Sequence, residues 1–303
     1  MKDIIVIVGP TGVGKTKLSV ELAKKYDGEI ISGDSMQVYR GMDIGTAKVT
    51  PEETQGIKHY NIDIKDPKDN YSVANFQNDV RKQIEIIKDK GKLPIIVGGT
   101  GLYIKSVLYD YEFEESNIQT EFYKDKYKDK TNEELYDYLR SIDLESANNI
   151  HPNNRQRVIR AIAIYESTGI KKSETLSKQE HKPVYDAYII GLTLPRDKLY
   201  ARINERVDTM LDEGLILEIK KLLDLGLNRN NQSMKAIGYK EWFDYLEGKT
   251  SLEETIELIK QHSRNYAKRQ YTWFNNQMDV NWYNVNLDDF NKTILEIEND
   301  LNK

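Results

Sequence analysis

One stretch near the start of the chain has the residue types and spacing of a phosphate-binding loop. It matches G-x-x-x-x-G-K-[ST], follows an apolar run and opens a segment with helical periodicity. Glycines let successive backbone N–H groups turn toward phosphate oxygens, and the start of a helix adds partial positive charge. The lysine supplies a point charge, and the hydroxyl beside it suits Mg²⁺. We therefore predict a diphosphate or triphosphate site with Mg²⁺ as cofactor and Thr16 as its ligand, formed by Gly9, Pro10, Thr11, Gly12, Val13, Gly14, Lys15 and Thr16.

The acid that such a site needs is not where hydrolytic enzymes with this loop usually have it. In those enzymes a second apolar strand ends in an acid that organises magnesium and water. Here the apolar run 93–97 leads into a Gly-Gly-Thr-Gly sequence, and no acid follows it. Asp34 instead follows the apolar run 29–32, and the carboxyl ends of parallel strands line a ligand crevice. A single carboxylate there suits a general base acting on an incoming nucleophile, although Asp34 could also cap the turn or helix that follows.

The elements that must position these residues alternate between strand and helix over the first 105 residues. Continuous apolar runs predict strands buried on both faces, and the segments between them have helical spacing. This rhythm predicts the α/β class, with a P-loop parallel sheet core that carries helices on both faces. The predicted strands are 4–8, 29–32, 93–97 and 187–194, and the predicted helices in the first part are 15–26 and 72–90. After residue 194 we expect only helices.

The texture of the sequence changes near residue 110, where a charged and tyrosine-rich stretch begins. From about 131 to 168 the spacing of apolar residues is helical. An inserted lobe within the α/β domain is the simplest account. We predict a catalytic core formed by residues 1–110 and 187–303, with a helical C-terminal part, and an inserted, mostly helical lobe at 111–186.

Composition restricts the class of protein further. The chain has 303 residues, 31% of them charged, a net charge of −5 and no cysteine. The lack of cysteine excludes disulfide frameworks, thiolate zinc sites and cysteine nucleophiles. No apolar run approaches the roughly 20 residues that span a bilayer. We expect a cytoplasmic monomer with no membrane contact, and the negative net charge still allows a local basic face for nucleic acid.

Several further motifs resemble those of tRNA dimethylallyltransferases, in order and over most of the chain. The resemblance implies transfer of a dimethylallyl group from dimethylallyl diphosphate to the exocyclic amino nitrogen of adenosine 37. That adenosine lies next to the anticodon in tRNAs that read codons starting with U, and the products are N6-isopentenyladenosine and diphosphate. The loop would then hold an isoprenoid diphosphate rather than ATP. The motifs are DSMQVYRGMDIGTAK at 34–48, GGTGLY at 98–103, HPNNRQR at 151–157, RVDTML at 206–211, AIGYK at 236–240 and KRQYTWF at 268–274.

This reaction assigns roles to residues at both ends of the site. At the leaving group, the resemblance implies Arg206 as the guanidinium that neutralises diphosphate, and Arg202, one helical turn earlier, could also reach. At the attacking end, Asp34 would take the proton of the amino group, and the resemblance places Thr100 near the reacting base. An ordinary solvated arginine and an ordinary turn residue are the alternatives for Arg206 and Thr100.

The acceptor adenosine must leave its stack to reach a buried diphosphate, so we expect a flipped base held by a single-stranded anticodon loop. The lysine- and tyrosine-rich run 123–130 could touch the anticodon stem, although its interleaved aspartates are also typical of a solvated surface. The predicted tRNA-binding residues are Asp34, Ser35, Met36, Gln37, Thr100, Tyr123, Gln156, Arg157 and Arg160.

Two departures and three alternatives complete this interpretation. Asn275 stands where the family usually has Arg, which leaves one tRNA phosphate contact open, and the zinc extension of eukaryotic members needs cysteines that this chain lacks. The form is therefore the bacterial one. The alternatives are a P-loop small-molecule kinase, a prenyltransferase acting on free AMP, and a non-enzymatic RNA-binding module. Against the kinase, the segment 105–150 contains a single arginine, whereas a kinase lid normally supplies several.

Overall fold

The computed structural model describes residues 2–111, 120–178 and 182–302. The chain divides into two compact units. The first, which we call the core unit, combines Met1–Tyr109 with Pro183–Lys303, and the second, the inserted unit, is Asp110–Lys182.

The core unit is built on a six-stranded sheet in which every neighbouring pair is parallel. The strand order is β3-β2-β4-β1-β5-β6, so the strand that leads into the phosphate loop is central. This sheet confirms the predicted α/β class. The strands are β1 (Ile4–Val8), β2 (Gly28–Ser32), β3 (His59–Tyr60), β4 (Leu93–Gly98), β5 (Ala187–Thr193) and β6 (Asn281–Asn284).

Helices cover both faces of this sheet. Alternate residues of β1 enter two different hydrophobic clusters, Ile4 and Val6 on one face, Ile5 and Ile7 on the other. This two-sided burial is the reason that the strands are continuous apolar runs rather than alternating ones. The helices of the core unit are α1 (Lys15–Lys25), α2 (Pro51–Thr54), α3 (Val73–Asp89) and α4 (Gly101–Leu108) before the insertion. After it come α10 (Arg196–Asp212), α11 (Leu215–Asp224), α12 (Trp242–Leu246), α13 (Leu252–Gln277) and α14 (Phe290–Leu301).

The expectation that only helices follow residue 194 is wrong at one place. Asn281–Asn284 forms β6, which pairs with β5 along the edge of the sheet. The strand is four residues long, half of it is exposed, and its sequence NWYN has no apolar run. A short edge strand of this kind depends on its neighbour for pairing, so its own sequence gives little signal. The two-residue strand β3 escaped prediction for the same reason.

The inserted unit is helical in the part that the structure describes. Its helices are α5 (Thr120–Lys126), α6 (Asn132–Ile142), α7 (Leu144–Asn149), α8 (Arg155–Thr168) and α9 (Lys172–Lys178). Leu135 and Leu139 of α6 pack with Val158 and Ile162 of α8 in a separate small core. Within the described ranges, no helix of either unit is long and apolar enough to cross a bilayer.

Candidate active site

The predicted phosphate-binding residues form the turn between β1 and α1. Gly14 precedes the first helical residue and has a φ of 100°, a conformation that favours glycine because it lacks a Cβ. Among the described residues, no side chain caps this end of α1, and its first turn contains no acid. The first backbone N–H groups of α1, which have no partner within the helix, are thus open to an anion.

Lys15 is folded back onto its own loop. Its Nζ donates to the carbonyl oxygens of Gly9 and Pro10, both at 2.8 Å. Burial lowers the pKa of Lys15 to about 7, the positive charge of Arg206 lowers it further, and Asp34 opposes both. A bound diphosphate would supply the negative charge that this ammonium group lacks, and would hold it in the protonated form.

Two arginines of α10 reach the same site in different ways. Arg202 donates from Nε to the carbonyl oxygen of Gly12 at 2.7 Å, so it braces the loop itself. Arg206 lies one turn later, and its buried Nε has no hydrogen-bond partner within the described residues. Burial lowers the pKa of Arg206, while Glu53 and Glu213 raise it. A buried donor without a partner is uncommon, and here it lines the cavity that contains the phosphate loop.

Asp34 stands directly after the end of β2, at the carboxyl edge of the sheet. Its Oδ1 accepts a hydrogen bond from the backbone N–H of Met36 at 2.8 Å. Burial raises the pKa of Asp34, and the Met36 hydrogen bond and the charge of Lys15 partly offset this effect. The carboxylate therefore caps a turn, as one hypothesis expected, and it also faces the phosphate loop. The two roles coexist because each uses a different part of the carboxylate.

Thr100 lies beside Asp34 because β2 and β4 are neighbours in the sheet. Its Oγ1 accepts from the backbone N–H of Ser35 at 3.3 Å, so the two strand ends are tied together. Gln37 uses its side chain inside the protein. Its Oε1 accepts from Ser32 Oγ at 2.7 Å, and its Nε2 donates to the carbonyl oxygens of Thr46 and Ala47 at 3.2 Å.

Two cavities meet at Asp34, both within the core unit. The first, of about 300 Å³, is polar and contains the phosphate loop with Arg202 and Arg206. The second, of about 400 Å³, has a largely apolar wall. Asp34 and Arg206 line both cavities, so a group bound at the phosphate loop and a group in the apolar cavity would meet at the carboxylate. The apolar wall includes Met36, Ile203, Val207, Met210, Ile237 and Ile259.

Two residues of α13 belong to this site and were not predicted. Tyr266 lines both cavities, and burial raises its pKa to about 12, with the charge of Asp34 adding to the rise and a hydrogen bond with Thr100 opposing it. Gln270 lies one turn later, and its Nε2 donates to the carbonyl oxygen of Gly99 at 2.9 Å. Gln270 falls inside the KRQYTWF motif, which was the one available signal that α13 approaches the site.

The other predicted tRNA-binding residues lie in the inserted unit. Gln156, Arg157 and Arg160 are exposed on α8, whose opposite face is buried in the core of that unit. Lys172 of α9 adds to this positive surface, since burial lowers its pKa and the charges of Arg157 and Arg160 lower it further. Tyr123 is half-buried and packs against the core of the inserted unit, so at least part of its ring serves packing.

A protein-family model described as IPP transferase matches residues 37–277. The chain belongs to the IPP transferase family. It is 53% identical to a tRNA dimethylallyltransferase of Anoxybacillus flavithermus, over 98% of this chain and 95% of that relative. Its fold is similar to the full-length tRNA isopentenylpyrophosphate transferase of Bacillus halodurans, with a TM-score of 0.75 and 49% identity, over 99% of this chain and 96% of the other.

A eukaryotic dimethylallyltransferase acting on tRNA is similar to this chain in structure as well. The TM-score is 0.86 at 33% identity, covering 99% of this chain and 79% of the eukaryotic one. The resemblance inferred from the sequence motifs is thereby confirmed.

The residues of the site are compatible with Mg²⁺ as a cofactor of this family member. Across the part of the chain that the structure describes, no group of three or more His, Cys, Asp or Glu side chains could hold a metal ion. Mg²⁺ is often held by few protein ligands together with substrate phosphates and water. Thr16, in the cavity wall, supplies a hydroxyl for such an arrangement.

Proposed function

We propose that this protein transfers a dimethylallyl group from dimethylallyl diphosphate to the exocyclic amino nitrogen of adenosine 37 in tRNAs that read codons starting with U. The products are N6-isopentenyladenosine in the tRNA and diphosphate. Membership of the IPP transferase family and the similarity to enzymes named tRNA dimethylallyltransferase support this proposal. The observation that carries it is the position of Asp34, a buried carboxylate between a phosphate loop and an apolar cavity.

At the leaving end, the allylic C–O bond breaks and negative charge accumulates on diphosphate. The N–H groups at the start of α1, Lys15 and the unpartnered Nε of Arg206 are donors for that charge. Mg²⁺ bound at Thr16 would supply further neutralisation of the diphosphate oxygens. Because an allylic carbon tolerates positive charge, stabilisation of the leaving group supplies most of the acceleration.

At the attacking end, the adenine amino group is a weak nucleophile because its lone pair is delocalised into the ring. Asp34 accepts a hydrogen bond from this group and takes its proton as the new C–N bond forms. The raised pKa of Asp34 brings the carboxylate closer in basicity to the proton that it must accept. Tyr266 and Thr100 flank the base, and Tyr266 stays protonated because its pKa is about 12.

The inserted unit provides a surface for the tRNA backbone. Arg157, Arg160 and Lys172 concentrate positive charge on α8 and α9, although the whole chain has a net charge of −5. Such a patch binds phosphates without reading the bases, so we assign it to tRNA affinity rather than chemistry. We also propose that the protein acts in the cytoplasm as a monomer, since the described lining of both cavities comes from one chain.

The decisive experiment incubates the protein and Mg²⁺ with radiolabelled dimethylallyl diphosphate and either unmodified tRNA or AMP. We expect label at the adenosine beside the anticodon and none in AMP. A third arm supplies ATP with candidate metabolites and follows ATP consumption. Label in AMP alone would favour the free-nucleotide prenyltransferase. ATP consumption without prenyl transfer would favour the kinase.

A further inference from the structure

A loop of the core unit is held in place by a carboxylate from a distant helix. The loop comprises residues 43–48, between β2 and α2, and the carboxylate belongs to Glu218 of α11. Glu218 is 8% exposed. Its Oε2 accepts from the backbone N–H groups of Asp43 and Ile44, both at 2.8 Å, and its Oε1 accepts from the N–H of Gly45 at 3.1 Å.

Tyr239 completes this arrangement. Its hydroxyl donates to Oε1 of Glu218 at 2.6 Å, and the side chain is fully buried. The ring also occupies the space beside Gly45, where a Cβ would lie 2.5 Å from the nearest ring atom. The 43–48 loop can therefore approach Tyr239 and Glu218 only with glycine at position 45.

The chemistry of the four donors requires a carboxylate. Each oxygen of Glu218 accepts two hydrogen bonds, so both oxygens are fully used. A carboxylate is an acceptor at both oxygens, whereas a glutamine amide presents an NH₂ group at one of the two positions. In either orientation, that NH₂ group would face two donors and would leave them buried without a partner.

On its other side, the 43–48 loop forms part of the site. Thr46 and Ala47 line both the phosphate cavity and the apolar cavity. Gln37 binds the carbonyl oxygens of these two residues and is itself bound by Ser32, at the end of the strand that leads to Asp34. Glu218 therefore lies at the outer end of a hydrogen-bonded connection that ends beside the proposed general base.

We propose that Glu218 is a positioning residue for prenyl transfer, because it fixes the 43–48 loop as the shared wall of the two cavities next to Asp34. This inference rests on the proposed function. Glu218 does not touch the substrates. It acts by holding the loop in the one conformation in which Thr46 and Ala47 line both cavities.

The test compares the wild-type protein with Glu218→Gln, which keeps the shape of the side chain. Hydrogen exchange is measured for the amides of Asp43, Ile44 and Gly45 and for the strands of the sheet. Transfer kinetics give kcat and KM for dimethylallyl diphosphate on the same samples. Glu257→Gln, at an exposed position of α13, is the matched control.

We expect exchange in the 43–48 loop to rise at least about tenfold in Glu218→Gln, from the loss of charge-assisted hydrogen bonds, while the sheet remains protected. We expect kcat/KM to fall by a similar factor, with an altered KM. A purely structural role would instead lower the active fraction and leave KM unchanged. Tyr239→Phe removes one of the four hydrogen bonds, and should give smaller changes in the same direction, with Tyr245→Phe as its control.

Three results would overturn the inference while the wild type is active: unchanged loop exchange, faster loop exchange with unchanged kinetics, and faster exchange throughout the sheet. If Glu218→Gln does not fold, the same criteria apply to Tyr239→Phe. An inactive wild type is a different result, because it overturns the proposed function itself and removes the reaction that Glu218 would serve.

Discussion

Oδ1 of Asp34 accepts a hydrogen bond from the backbone N–H of Met36, two residues later, at 2.8 Å. This bond orients the carboxylate without neutralising it, and burial raises its pKa. The turn thus presents a base of fixed orientation at the junction of the phosphate loop and the apolar cavity. The same short segment of chain supplies both the base and the bond that aims it.

Asp34→Asn tests the proposed base, because asparagine can still accept the Met36 hydrogen bond but cannot take a proton. We expect the rate of transfer at saturating substrates to fall by about 10²–10⁴-fold. In the wild type the rate should fall as pH decreases through the raised pKa of Asp34, since only the ionised form is a base. Single-turnover transfer measured against pH checks both points. Asp186→Asn, at an exposed position, is the control, and a wild-type rate in Asp34→Asn would contradict the assignment.

Lys15 should make the affinity for diphosphate depend on pH. Its pKa in the ligand-free protein is about 7, so below pH 7 the ammonium form is ready to bind, and above pH 7 binding must first recapture a proton. We expect the affinity of the wild type to weaken from pH 7 to pH 9 relative to Lys15→Met. Titration calorimetry with inorganic diphosphate at each pH measures this difference. The difference also cancels the ionisation of diphosphate itself. Parallel pH curves for the two proteins would rule out Lys15 as the source.

Arg206 and Arg202 should have separable effects. Arg206→Gln removes the buried unpartnered donor, and we expect kcat to fall by about 10²–10³-fold, as for the loss of one donor to a developing charge. Arg202→Gln removes the brace on Gly12, and should mainly raise KM for dimethylallyl diphosphate. Steady-state kinetics of the two variants distinguish these outcomes. Equal losses of kcat in both would indicate that the two guanidinium groups act as one unit.

The basic surface of the inserted unit should govern tRNA affinity. In the double variant Arg157→Gln with Arg160→Gln, we expect KM for tRNA to rise about tenfold and the slope of log affinity against log salt to decrease by about 2, one for each phosphate contact. The rate at saturating tRNA should remain unchanged. Filter binding over a range of salt concentrations checks the slope. Arg140→Gln, also exposed in this unit, is the control, and an unchanged slope would exclude phosphate contacts at positions 157 and 160.

The sequence was informative wherever the chemistry is local. The phosphate loop, Asp34 and Thr100 each follow a strand directly, and parallel strands bring their ends together, so spacing alone predicted their proximity. Arg206 was found by resemblance, because one arginine on a polar helix face looks like any other. Tyr266 and Gln270 were missed, since their meeting with Asp34 depends on how α13 packs, and no local pattern encodes that packing.

Glu218 shows the same limit in a sharper form. Its three backbone donors lie more than 170 positions away along the chain. On α11 it stands among apolar residues, and the periodicity of that helix gave no sign that this acid is buried. A buried carboxylate of this kind becomes visible only when the backbone groups that pair with it have been placed.

The order of the strands has a consequence for synthesis on the ribosome. β1 is central, but one of its two neighbours, β5, is complete only at Thr193, after the whole inserted unit. At about 5–20 residues per second, the nascent chain spends many seconds with one edge of β1 unpaired. During that interval, an apolar strand edge is available to other chains, which is a route to aggregation. The insertion therefore separates two stages of biogenesis, in which the residues that will bind phosphate emerge first and the strand that closes the sheet beside them emerges late.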